Sequence, residues 1–92
     1  MDTLLKKFPL GQVVATPGVI AAIPNAEMMR TLARHAQGDW GELCPEDAQE
    51  NELSLREGFR LLSTYISSAG VKFWIITEAD RSATTFLLPD EY

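Results

Sequence analysis

The spacing of apolar positions changes near residue 59, from a helical period to an alternating one. From Asn25, a good helix N-cap, apolar side chains recur at helical spacing until Gly38 supplies a stop. After residue 59, runs rich in β-branched and aromatic residues alternate between polar and apolar positions. The pattern predicts an α+β domain in which two to three helices pack on a small antiparallel sheet.

Other elements are predicted before residue 59. Residues 10–15 form a short strand that could extend the sheet. Thr16 caps a short helix over residues 17–23, which has a proline at its first position. Pro45 begins a third, acidic helix that Gly58 ends. Its apolar positions are sparse, so we expect this helix on the outside.

The C-terminal third predicts a three-stranded antiparallel meander with a defined register. Its first turn, at residues 68–70, places Arg60 opposite Glu78, and its second turn spans residues 79–82. Both faces of the sheet are then substantially apolar, and helices can cover one of them. We expect the other face, which bears Trp74, to meet the N-terminal segment, a second copy of the chain or a partner. The predicted strands are residues 59–67, 71–78 and 83–88.

Length and composition indicate one domain over residues 1–92. Hydrophobic residues make up 46% of the chain and charged residues 23%, as in ordinary globular proteins. No apolar run approaches the roughly 20 residues of a membrane span, and the first seven residues lack the pattern of a signal peptide. The single cysteine, Cys44, fits a reducing compartment. We therefore expect a cytoplasmic protein without a membrane segment.

The net charge of −5 is concentrated in residues 39–57, which carry seven acids and one base. Nucleic-acid affinity depends on basic side chains, so this balance argues against broad DNA or RNA binding. A concentrated acidic segment suits a protein partner with a basic surface, although it could also be a solvated helix face. Our candidate partner-binding residues are Asp39, Trp40, Glu46, Asp47, Glu50 and Trp74.

The turn Gly38-Asp39-Trp40-Gly41 allows two interpretations. In the structural one, Asp39 caps local backbone donors while the Trp40 indole packs onto the sheet. In the other, Trp40 is an exposed anchor for a partner.

A catalytic alternative depends on the single histidine. His35, Arg60, Glu78 and Arg81 would suit metal-independent RNA cleavage, in which an arginine stabilises the developing phosphorane charge and a histidine or glutamate moves the proton. The structural alternative places His35 against the last carbonyls of its helix and pairs Arg60 with Glu78, and Arg81 with Asp80 or Glu78. No spacing matches a zinc or calcium site, so we expect neither a metal nor a cofactor.

Two motifs carry a family resemblance: RHAQGDWGELCPED at residues 34–47 and WIITEADRSATTFLLPDEY at residues 74–92. The chain resembles small bacterial proteins of plasmids, integrated elements and phages that are commonly labelled type I restriction endonuclease subunit M. That label is misapplied, because a methyltransferase needs a glycine-rich cofactor motif and an Asn/Asp-Pro-Pro-Tyr/Phe motif, and this chain has neither. The resemblance implies a mobile-element setting. The order of elements is also similar to that of RelE-like and barnase-like nucleases.

The sequence therefore favours a protein-binding protein of a mobile element that blocks or modulates a host factor by surface occlusion. A nucleic-acid-handling defence complex with a basic groove would be a fitting partner. The alternatives are a metal-independent ribonuclease and a homodimeric accessory protein without catalytic activity.

Overall fold

The computed structural model describes residues 6–92, which form an α+β fold with three helices and a four-stranded sheet. The expectation about a signal peptide concerns mainly residues 1–5, which lie outside the described residues. In chain order the elements are β1 (Gln12–Ala15), α1 (Pro17–Ala22), α2 (Asn25–Ala36), α3 (Pro45–Glu57), β2 (Leu61–Ile66), β3 (Lys72–Thr77), β4 (Ala83–Leu87) and a 3₁₀ turn (Pro89–Glu91).

The sheet has the strand order β1-β4-β3-β2. The predicted meander and its register are confirmed, since Ser63 pairs with Ile75 and Ile75 with Phe86. The N-terminal strand β1 extends the sheet, but its direction differs from the expected antiparallel one. It runs parallel to β4, so the sheet is mixed. Chain direction explains this result: β1 and β4 are joined by a long crossover containing all three helices, as parallel neighbours require.

The predicted cap residues are confirmed at α1 and α3 but not at α2. The Thr16 side chain accepts a hydrogen bond from the backbone N–H of Val19, and Gly58 ends α3 with a positive φ of 80°. At α2 the prediction was wrong, because Asn25 is the first helical residue and Pro24 occupies the N-cap position. Pro24 has the fixed φ of proline in an extended conformation, so the helix begins directly after it.

Helices α1 and α2 cover one face of the sheet and form the main core with it. A second cluster lies beside β2, where Phe8, Trp40 and Leu61 pack against the apolar side chains of α3. α3 is otherwise mostly exposed, as its sparse apolar positions predicted.

The chain's own C-terminus packs on the other face of the sheet. The Tyr92 ring lies 5.8 Å from the Trp74 ring, and Leu87 is buried. The Glu91 carboxylate accepts hydrogen bonds from Thr16 Oγ1 at 2.5 Å and from the Gly18 N–H at 3.0 Å, so the tail is tied to the start of α1. This occupant is not among the three that the sequence led us to expect, which were the N-terminal segment, a second copy of the chain and a partner. Trp74 is half-buried.

Candidate functional site

His35 lies fully buried between α2 and the sheet. Its Nδ1 is 2.5 Å from Ser63 Oγ on β2, and its Nε2 is 2.9 Å from Thr77 Oγ1 on β3. Thr77 Oγ1 lies 2.8 Å from Thr84 Oγ1 on β4, and the Thr84 hydroxyl donates to the Leu10 carbonyl at 2.7 Å. We call His35, Ser63, Thr77 and Thr84 the His35 network.

The proton positions in this network follow from the number of hydrogens that each group owns. A hydroxyl has one proton, and Thr84 gives its proton to Leu10. Thr77 must therefore donate to Thr84, which leaves His35 Nε2 as the donor to Thr77. Nδ1 then accepts from the Ser63 hydroxyl. The geometry assigns the neutral Nε2–H tautomer, with both ring nitrogens bonded.

Burial, together with the smaller effect of the positive charge of Arg81, lowers the pKa of His35 to about 4. The Phe8 and Trp40 rings close the site, with centroids 5.3 Å and 5.8 Å from the imidazole. The structural interpretation from the sequence named the wrong hydrogen-bond partners for His35. The imidazole is bonded to hydroxyls of the sheet and not to the last carbonyls of α2. Buried polar groups need such partners, and the inward sheet face supplies them here.

The Arg81 guanidinium donates hydrogen bonds to backbone carbonyls in three segments of the chain. Arg81 has a positive φ of 61°, in a turn that Asp80 supports by accepting from the Ser82 N–H at 3.0 Å. The expected pairing of Arg81 with a carboxylate is wrong, since its guanidinium is bonded to carbonyls at the end of α3, before β2 and in the β3–β4 turn. These acceptors are Phe59 at 2.7 Å, Glu78 at 3.1 Å, Ser54 at 3.2 Å and Ala79 at 3.3 Å.

The partner of Arg60 also differs from the expected one, which was Glu78. The β2–β3 pairing ends at Leu61 and Thr77, so Arg60 and Glu78 fall just beyond it in the predicted register. The Arg60 guanidinium donates to the Tyr92 hydroxyl and lies 5.5 Å from that ring. The groups of the ribonuclease alternative therefore do not share an open site. His35 is fully buried, the Arg81 guanidinium is bonded to backbone carbonyls, and the Arg60 guanidinium is bonded to Tyr92.

The turn at residues 38–41 is structural in the way that its sequence suggested. Asp39 forms a two-point ion pair with Arg34, at 2.8 and 3.3 Å, and accepts from the Gly41 N–H at 3.2 Å. Trp40 is only 6% exposed, and its Nε1 donates to the Glu52 carboxylate at 2.9 Å. Its indole is thus not an exposed anchor; it fixes α3 against the sheet.

The exposed carboxylates of α3 line a groove beside β2. Its base is set by Asn51, whose buried side chain donates to the Leu62 carbonyl at 2.6 Å and accepts from the Leu62 N–H at 3.2 Å. The groove has a volume of about 490 Å³. We call it the acidic groove; its lining residues are Leu43, Glu46, Asp47, Glu50, Asn51 and Leu62.

The structure thus brings three predicted partner-binding residues together: Glu46, Asp47 and Glu50. Asp39 is exposed on the preceding turn, and Trp74 lies half-buried on β3. Sequence reasoning missed Asn51 and the partners of His35. A signal for those partners was present, because Ser63, Thr77 and Thr84 are polar positions in strands whose two faces were predicted to be substantially apolar.

Within residues 6–92, no three histidine, cysteine or carboxylate side chains come together as metal ligands. None of the helices in this range is long and apolar enough to cross a membrane. No family model, curated protein or solved structure matches the chain.

Proposed function

We propose that this chain is an acidic protein-binding module that occludes a basic surface of its partner through the acidic groove. The observation that carries this proposal is the convergence of Glu46, Asp47 and Glu50 with two leucines around one concave surface. All three carboxylates are exposed. Asp39 is exposed as well, but it is paired with Arg34.

The lining of the groove suits lysine and arginine side chains. These side chains carry an apolar stem and a charged head, so the stem can pack on Leu43 and Leu62 while the head meets the carboxylates. Basic surfaces of this kind are common on proteins that handle nucleic acids. The resemblance to proteins of plasmids, integrated elements and phages supports a host complex of that class, including a defence complex, as the partner.

The ribonuclease alternative has less support. A general base must come within hydrogen-bond distance of the proton that it removes, and the buried His35 already has both ring nitrogens bonded to hydroxyls. An enzyme that grips RNA also gains from a basic surface, whereas this chain carries −5.

The test is capture from a bacterial host lysate on the immobilised full chain, followed by mass spectrometry. We compare Glu46→Lys/Glu50→Lys with Glu57→Lys/Asp90→Lys, which makes the same change in net charge at exposed acids outside the groove. We expect a stoichiometric partner on the wild type and on the control, and its loss from the groove variant. Equal capture by all three proteins, or no stoichiometric partner, would contradict the proposal.

A further inference from the structure

The two outer strands of the sheet present their backbone differently. Along β2, both backbone groups of Leu62 are bonded to the Asn51 side chain. Thr64 donates its N–H to the Trp40 carbonyl at 3.1 Å and accepts from the Glu42 N–H at 2.7 Å. Free strand edges promote unwanted pairing, and this edge is covered by the chain itself.

Among the described residues, none covers the outer edge of β1 in this way. The N–H groups of Gln12 and Thr16 donate to Ser82 and Phe86 at 3.0 Å, so every second residue of β1 bonds inward to β4. The backbone groups of Val13 and Ala15 therefore point outward. Within residues 6–92, neither makes a backbone hydrogen bond outside the strand ladder.

An apolar surface lies beside this edge, and the nearest carboxylate described above is that of Glu91, beyond the end of the strand at Thr16. Val13 and Val14 are 41% and 40% exposed, and Ile20 and Met29 are exposed nearby. A groove of about 410 Å³ joins the strand to α1 and α2. No ionisable side chain occurs in residues 8–26, although the whole chain carries 21 Asp, Glu, Lys and Arg residues.

We infer that β1 pairs with β1 of a second copy, antiparallel, about a two-fold axis at Val14. In this register Val13 and Ala15 exchange their outward hydrogen bonds with Ala15 and Val13 of the other copy. Val14 faces Val14 of the other copy as a pair without mutual hydrogen bonds. The two sheets then become one eight-stranded sheet.

Shape and charge favour a second copy as the occupant. Val13 and Ala15 lie on the helix-covered face, since their partners on β4 are Thr84 and Phe86. The register sets the larger Val13 of one copy against the small Ala15 of the other, which lines the groove. Two chains of −5 repel, but they meet here through their uncharged segments.

The dimer has a consequence for the proposed function and does not depend on it. β1 and β2 are opposite edges of the sheet, so pairing through β1 leaves an acidic groove at each end of the eight strands. A partner with repeated basic sites could then be bound at two points, with a gain in avidity.

Sedimentation equilibrium of the full chain over a range of concentrations provides the first test. We expect a monomer–dimer equilibrium in the wild type. Val14→Lys sets like charges opposite each other and should raise the dimer dissociation constant more than about tenfold. Leu53→Lys is the matched control, because Leu53 is also 40% exposed and lies on α3. A wild type that is monomeric throughout, or a dimer that Val14→Lys leaves unchanged, would overturn the inference.

Cysteine cross-linking tests the register, with Cys44→Ser as the background because Cys44 is exposed. Val14→Cys should oxidise to a covalent dimer, since facing Cα atoms of such a pair lie about 4.5 Å apart, within the disulfide range. Gln12→Cys lies on the same strand and face, but the two copies of residue 12 would be roughly 13 Å apart. Equal cross-linking at both positions, or none at Val14→Cys, would overturn the proposed pairing.

Discussion

The His35 network and the acidic groove are two groups of polar side chains under opposite physical constraints. In the network, His35, Ser63, Thr77 and Thr84 are buried, and each is paired with a partner of its own chain. In the groove, Glu46, Asp47 and Glu50 lie in solvent. A buried polar group is costly when its partner is removed, whereas an exposed carboxylate can be changed with little effect on folding.

This contrast separates the residues that hold the fold from those available for binding. The sequence offered a histidine and a set of acids as rival functional groups. Their burial assigns the histidine to the interior and leaves the acids on the surface. The contrast predicts large stability effects in the network and small ones in the groove.

The largest expected effect is that of His35→Ala. The change removes a packed ring and leaves the Ser63 and Thr77 hydroxyls without their partner, so we expect a loss of about 3–4 kcal/mol in the free energy of unfolding. Urea denaturation measures it. Arg30→Ala, at an exposed position of the same helix, is the control and should change stability by less than about 0.5 kcal/mol. A His35→Ala protein as stable as the control would contradict a structural role.

The next effect is a dependence on pH. His35 has a pKa of about 4 in the folded chain against 6.5 in the unfolded one, so the unfolded state binds more protons between these values. The stabilisation is complete above pH 6.5 and is lost as the pH falls towards 4. We expect a loss of about 2 kcal/mol between pH 7 and pH 5.

His35→Ala should remove most of that loss, which urea denaturation of both proteins at the two pH values will show. The pKa values of Asp39 and Glu91 are also lowered, by hydrogen bonds from Arg34 and Thr16 respectively. Carboxylates titrate mainly below pH 5, so they contribute less in this window. An equal loss in wild type and variant would mean that another group titrates there.

A smaller difference in stability is expected between variants that remove the Thr77 hydroxyl and the Ser63 hydroxyl. Thr77→Val leaves the buried His35 Nε2–H without an acceptor and should cost about 2 kcal/mol, while Ser63→Ala removes a donor to Nδ1 and should cost about 1 kcal/mol. An unpaired buried N–H is the less tolerated of the two. Nitrogen-15 NMR of the imidazole checks the basis directly, and a proton on Nδ1 rather than Nε2 would refute the assigned tautomer.

The sequence predictions succeeded where the interactions are local in sequence and failed where the interacting residues are far apart in sequence. The meander and its register were predictable because turn length and alternation fix them locally. The direction of β1 was not, since it depends on a crossover of more than sixty residues, from Ala15 to Ala83. The partners of His35 lie 28 and 42 residues away, so its position at the end of a helix suggested the wrong acceptors.

The smallest expected effect on stability is that of Glu46→Lys/Glu50→Lys in the acidic groove. Both side chains are exposed, so we expect less than about 1 kcal/mol of change, including the less favourable charge at the start of α3. The same variant should bind a basic partner more slowly, with a deficit that shrinks as salt rises. His35→Ala, studied where it is still folded, should keep the wild-type association rate because His35 is fully buried. Stopped-flow mixing with the captured partner at low and high salt measures both rates. If the charge variant binds normally while folded His35→Ala does not, the assignment of binding to the groove and of structure to the network must be exchanged.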